Sequence, residues 1–149
     1  NHPTLFEGWG IGERGFGGGT TNHAWSGGAQ TVIARHICGI APLEAGYGTF
    51  LVEPRPGSFT SVAITVPTVK GMISSAFENT PESLTLKVEV PRGTTAIVRL
   101  DSTSRQVKIN GKAPASAQLK VNAAWQSEGK TALALAPGTY TITTNSIHQ

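Results

Sequence analysis

Leu84-Thr85-Leu86-Lys87-Val88-Glu89-Val90, closed by Pro91-Arg92-Gly93, is the stretch whose reading decides the fold. Apolar and polar residues alternate there without a break, the period of a strand with one buried and one wet face. The pattern repeats on both sides. Upstream, Thr49–Glu53 stops at Pro54-Arg55-Pro56-Gly57, Ser61–Val66 alternates through Val62, Ile64 and Val66, and Val69–Phe77 runs to the turn at Glu78-Asn79-Thr80-Pro81-Glu82. Downstream, Ala96, Val98 and Leu100 continue the alternation, Val107 and Ile109 lead into Asn110-Gly111, and Thr131–Leu135 and Thr139–Thr143 flank Pro137-Gly138. Asn-Gly is a strong two-residue hairpin signal. Seven or eight strands at a spacing of roughly 8–12 residues, with no helix between them, predict a mainly β fold, an antiparallel β-sandwich over residues 46–149. Each sheet is expected to keep one wet face. Residues 112–130 are less periodic and read as a loop or irregular strand around Val121 and Trp125.

Residues 1–45 differ in kind. Ten of the 18 glycines fall before residue 41 and no lysine precedes Lys70. Ala24–Cys38 carries the one helical pattern, with Ala29, Val32, Ile33 and Ile37 on one face. Gly39 follows as a C′ residue, Pro42 prevents continuation, and Arg35 and His36 place positive charge in the last turn. A single amphipathic helix cannot bury its own stripe. It must pack on the β-domain or on helices outside this chain, and the glycine-rich lead-in suits the second arrangement.

Composition excludes several classes. The 149 residues suffice for one domain, or one small domain with an appendage, burying roughly 68–70% of the unfolded surface. Charged residues make up 14%, against about 25% in ordinary soluble domains. The net charge of +3 is scattered, with no basic run or aromatic platform, so nucleic acid is not an expected partner. Cys38 stands alone, which forbids an internal disulfide and suits a buried structural thiol. No apolar h-region opens the chain, and no apolar run approaches the ~20 residues of a membrane span.

Candidate chemistry clusters near the N-terminus. Glu7 lies beside Phe6 and Trp9, and a carboxylate among aromatics suits a sugar site, where rings stack on sugar faces; the same string also fits a solvated loop. His23, with Trp25 two residues on, directly precedes the helix, where it either packs or meets a polar ligand; Thr21 or Asn22 can serve as the N-cap. The histidines lack metal-site spacing, and Asp101 is the sole aspartate, so neither metal nor cofactor is expected. Gly17-Gly18-Gly19 lacks the lysine of a phosphate loop, and no Gly-x-Ser-x-Gly elbow occurs.

Thr4-Leu5-Phe6-Glu7-Gly8-Trp9, then Asn22-His23-Ala24-Trp25-Ser26, then a helix ending Cys38-Gly39-Ile40-Ala41-Pro42, resembles in order the C-terminal end of bacterial α-L-rhamnosidases of glycoside hydrolase family 78. Glu53-Pro54-Arg55-Pro56, Val90-Pro91-Arg92-Gly93-Thr94-Thr95-Ala96 and Pro137-Gly138-Thr139-Tyr140 resemble that family's closing β-sandwich. The resemblance implies that residues 1–45 are a loop and helix from the end of a catalytic (α/α)6 barrel. It implies Glu7 as the general base of an inverting hydrolysis and His23 as a contact to rhamnose, with Trp9 and Trp25 as further sugar-binding candidates. The general acid would lie upstream, outside this chain, leaving the chain alone inactive. Phe6 stands where the family often has tryptophan, and the glycine run between base and histidine is unusually long. The implied partners are a rhamnose-containing oligosaccharide or glycoside and the rest of the barrel, in the periplasm or outside a bacterial cell. The competing reading is a non-catalytic carbohydrate-binding or interaction module, with Trp125 and Tyr140 as its platform, although core packing suits both residues. A third keeps the helical barrel and changes the sugar, as in fucosidase-like families.

Overall fold

The computed structural model describes residues 23–101, 106–121 and 130–145. Among these residues, nine strands form two packed sheets. Sheet A has the order β1 (Ile40–Pro42), β2 (Thr49–Val52), β6 (Thr95–Leu100), β8 (Thr131–Leu135). Sheet B has the order β3 (Ser61–Thr68), β4 (Gly71–Asn79), β5 (Ser83–Val90), β9 (Gly138–Asn145), β7 (Lys108–Ile109). The mainly β sandwich predicted from alternation is the architecture found.

Alternation sets the register. On β5, Leu86, Val88 and Val90 are fully buried and Leu84 packs against the same core, while Lys87 and Glu89 face water. Phe77 lies opposite Leu86, and Ile142 of β9 opposite it on the other side. From sheet A, Phe50, Val52, Val98, Leu133 and Leu135 close the core at zero exposure. Asn110 and Gly111 take φ of 50° and 79°, and Ile109 and Lys112 exchange backbone hydrogen bonds of 2.7 and 3.0 Å around them, the two-residue turn expected of Asn-Gly. Tyr140 is half-buried against the core, its hydroxyl donating to the Ala136 carbonyl at 2.9 Å. Trp125 lies outside the described residues.

Three features depart from expectation. β2 and β6 run parallel, Thr49 opposite Thr95 and Val52 opposite Val98, inside an otherwise antiparallel sandwich. Sheet A is not wet on its outer side: Ala132 is fully buried and Ile97 nearly so, although both point away from the core. The unbroken runs Ala96-Ile97-Val98 and Ala132-Leu133-Ala134-Leu135 are the composition of strands covered on both faces. Finally, Ile40–Pro42 is a strand paired with β2, so sheet A begins six residues ahead of Gly46.

Candidate functional site

The helical segment is three turns of different pitch in series: a 3-10 turn at Ala24–Gly27, a short α-helix α1 at Gly28–Val32, and a π-type turn at Ile33–Ile37. Gly27 caps α1 without a side-chain bond, so the helix has no capping group of its own among the described residues. Its stripe is largely uncovered. Val32 is 52% and Ile33 38% exposed, Ala29 is exposed, and only Ile37 reaches the sandwich core. The β-domain therefore does not bury this face; the last turn lies against β1 and β3.

His23 immediately precedes the first turn and is half-buried; Trp25 lies within that turn. Glu7 and Trp9 lie outside the described residues, as do Thr21 and Asn22. Cys38 is wholly buried, and that burial pushes its thiol above its ordinary value of 9.0, the behaviour of an inert structural cysteine.

A charged cluster that sequence reasoning missed lies where this segment meets the sandwich. Glu53, just past β2, is 6% exposed. Its Oε2 accepts from Arg55 Nη2 at 3.0 Å, and its Oε1 lies 3.3 Å from Arg99 Nη1 and 3.4 Å from Lys130 Nζ. Lys130 also meets Asp101 at 2.8 Å. Both carboxylate oxygens are engaged, so the cluster ties the ends of β2, β6 and β8 together. The backbone around it holds the helix: Glu53 N–H donates to the Gly39 carbonyl at 3.2 Å and Arg55 N–H to that of Ile37 at 2.8 Å. Gly39 sits at φ +69°, and a Cβ there would lie 1.9 Å from the Glu53 carbonyl oxygen. Only glycine fits that approach. A carboxylate inside Glu53-Pro54-Arg55-Pro56, at the end of an apolar strand, was the available signal; partners as distant as Lys130 left none.

Shallow depressions are found at two places among the described residues. One lies between the loop from Pro42 to Tyr47 and the hairpin tip at Val69. Tyr47, held at φ 61°, tilts its ring against Phe50 with centroids 6.4 Å apart, which spends the aromatic face on the core. The other crosses the outer face of sheet B, over Ala63, Thr65, Ser74, Ala76 and Lys87. The outward residues of its four long strands include no aromatic ring, so among the described residues this face offers no ring on which a sugar could stack. Among the described residues no three His, Cys, Asp or Glu side chains converge as metal ligands, and no helix is long and apolar enough to cross a membrane.

Against this geometry, the family described as bacterial alpha-L-rhamnosidase C-terminal domain matches residues 39–115, just over half of the chain, beginning at the glycine just before β1. The chain belongs to that family. As a member of the rhamnosidase C-terminal domain family it is 34% identical over 93 residues to an alpha-L-rhamnosidase of Formosa agariphila, covering 61% of this chain and 10% of the relative. It is 35% identical over 78 residues to one from Streptomyces avermitilis, covering 52% and 8%. Among solved structures, the alpha-L-rhamnosidase from Dictyoglumus thermophilum superposes with a TM-score of 0.72 at 20% identity, over 96% of this chain and 16% of that one. The Streptomyces avermitilis enzyme complexed with L-rhamnose gives 0.71 at 25% identity, over 95% and 14%. This rhamnosidase C-terminal domain thus spans between about a twelfth and a sixth of the length of these relatives.

Proposed function

We infer that the chain is the C-terminal part of an inverting α-L-rhamnosidase that removes terminal α-L-rhamnosyl residues from glycans or glycosides. On this reading residues 1–45, apart from the strand β1 that the sandwich takes, finish the catalytic (α/α)6 barrel, and the remainder is the sandwich that follows it. The observation that carries the reading is the uncovered stripe Val32–Ile33 on a helix rooted in a rhamnosidase C-terminal sandwich. An apolar face beside such a domain calls for a covering element, and the missing barrel supplies one. Among the described residues the outer face of sheet B carries no aromatic ring, which counts against the carbohydrate-binding module.

Each residue then has a role. Glu7 is the general base and must lie within ~2.6–3.2 Å of the attacking water in the complex. Its partner acid, supplied by upstream sequence, protonates the leaving oxygen from about 6.5–9.5 Å away, the gap that admits the water in an inverting site. His23 bonds the rhamnose hydroxyls, and Trp9 and Trp25 wall the sugar. No cofactor takes part.

Two measurements test this. The isolated chain should not hydrolyse p-nitrophenyl α-L-rhamnoside, because the proton donor is absent; robust turnover by it would overturn the reading. In the full-length protein, Glu7→Gln should lower kcat by about 10²–10⁴-fold with substrate binding largely kept, since the amide retains size but cannot take the proton. His23→Ala should weaken binding as well as rate. Glu13→Gln is the control and should be near neutral; the reverse ranking of the two glutamates would remove Glu7 from the mechanism.

A further inference from the structure

We propose that the free edge of β3 pairs with the β3 edge of a second copy of this chain, antiparallel about Ala63, forming a two-fold dimer with one sheet continuous across both copies. Among the described residues, β3 is the outermost strand of sheet B. It pairs with β4 in one unbroken register from Ser61–Glu78 to Thr68–Gly71. One residue before Ser61, in the same register, Asn79 N–H donates to the Thr60 carbonyl at 2.8 Å. In an antiparallel ladder bonded pairs alternate with non-bonded ones, so Val62, Ile64 and Val66 exchange bonds with β4. Ser61, Ala63 and Thr65 therefore turn their N–H and C=O groups outward, and all three are exposed.

An open row of this kind is a template for another strand, and folded proteins blunt it with charge, a bulge or proline. Ser61–Thr68 contains no charged residue and no bulge. Its one proline, Pro67, stands in the outward row where a missing N–H costs β4 nothing, but at the far end, leaving three residues open. The core face is also unfinished there. Val62, Ile64 and Val66 are only half-buried, and Phe59 and Val69 beyond the strand ends are 51% and 85% exposed.

The row complements itself. With Ala63 on the axis, Ser61 of each copy faces Thr65 of the other and exchanges both backbone bonds with it. Val62 faces Ile64 on the core side, extending that face across the junction. Phe59 of each copy comes opposite Pro67 of the other, so the exposed ring gains an apolar neighbour at both ends. The outward side chains are small, and no like charges meet across the axis. An unrelated strand could use the same donors, but a second copy alone meets matching residues at both ends.

Sedimentation velocity on this chain, from micromolar to millimolar, is the test. The wild type should dimerise in that range, and Thr65→Pro should be monomeric, because it deletes an outward donor and no backbone bond to β4, only the exposed contact of Thr65 Oγ1 with Ser74 Oγ at 3.3 Å. Ala63→Lys, which places two ammonium groups face to face, should be monomeric with an unchanged far-ultraviolet spectrum, and it serves if the proline variant fails to fold. Ala63→Cys should crosslink under mild oxidation: bonded antiparallel pairs lie about 5.5 Å apart at Cα, inside disulfide range. The sole native thiol, Cys38, is buried and does not compete. A monomer throughout, a dimer surviving both Thr65→Pro and Ala63→Lys, or an Ala63→Cys chain that stays uncrosslinked would each overturn the proposal. So would edge protection seen only when further sequence of the same polypeptide is attached, since the occupant would then be that sequence.

Discussion

Replacing Glu53 by glutamine would leave three cations around an amide at a site that is 6% exposed. Removing one partner of a buried ion pair costs about 3–5 kcal/mol, and because Arg55 and Lys130 reach water the cost here should be about 2–3 kcal/mol by urea unfolding. Asp101→Asn, on the exposed side of the same cluster, should cost about 0–1 kcal/mol. Equal losses at the two positions would show that the cluster acts as one surface network. Cys38 gives a second prediction, in pH. Its thiol is raised above 9.0 by burial, so the folded chain holds a proton that the unfolded chain gives up first. That stabilisation is complete below pH 9.0 and is lost as pH climbs through the folded value. Unfolding free energy should fall more steeply above pH 9 in the wild type than in Cys38→Ala, and parallel curves would contradict the burial. The thiol was legible from its apolar surroundings in the sequence. The Glu53 cluster was not, because two of its three cations, Arg99 and Lys130, lie 46 and 77 positions away in the chain.

At the scale of elements, the junction between helix and sheet is the tightest point. Gly39→Ala meets both a positive φ and the Glu53 carbonyl, so it should cost well beyond the about 1–2 kcal/mol of a left-handed conformation alone. Gly93→Ala, at φ +71° with open space around it, should cost only that amount. Thermal melts of the two variants would test the contrast, and similar shifts would mean that β1 can move away from Glu53. Strands with period-two alternation were readable because each residue reports its own face: Ser61–Thr68, Ser83–Val90 and Thr131–Leu135 fall within two residues of where the pattern puts them. Ile40–Pro42 was not readable. Three residues carry too little period, and Gly-Ile-Ala-Pro reads equally as the end of a helix. The parallel pairing of β2 with β6 is likewise invisible locally, since nothing in Thr49–Val52 encodes the direction of its neighbour.

At the scale of the whole molecule, the Val32–Ile33 face separates this chain from a longer protein containing it. Val32→Ser and Ile33→Ser should each change the stability of this chain by about 0.5 kcal/mol or less, because both side chains already meet solvent. If a catalytic region covers them, each should cost about 1–3 kcal/mol in the full-length protein, the price of a buried aliphatic side chain. Equal, small effects in both contexts would leave the face without an occupant. The parallel β2–β6 ladder has a kinetic consequence. Sheet B grows by consecutive hairpins, β3 to β4 to β5, whose closing loops are short. In sheet A, β1 and β2 are close in sequence, but joining β2 to β6 (from residue 95) and β6 to β8 (from residue 131) bridges long stretches of chain. Loop-closure entropy is paid before such contacts reward it, so contacts distant in sequence form slowly. The β3–β4–β5 meander is then the early folding nucleus, and sheet A closes over it last. Mutations within that meander should slow refolding, whereas those in sheet A, the Glu53 cluster included, should chiefly hasten unfolding.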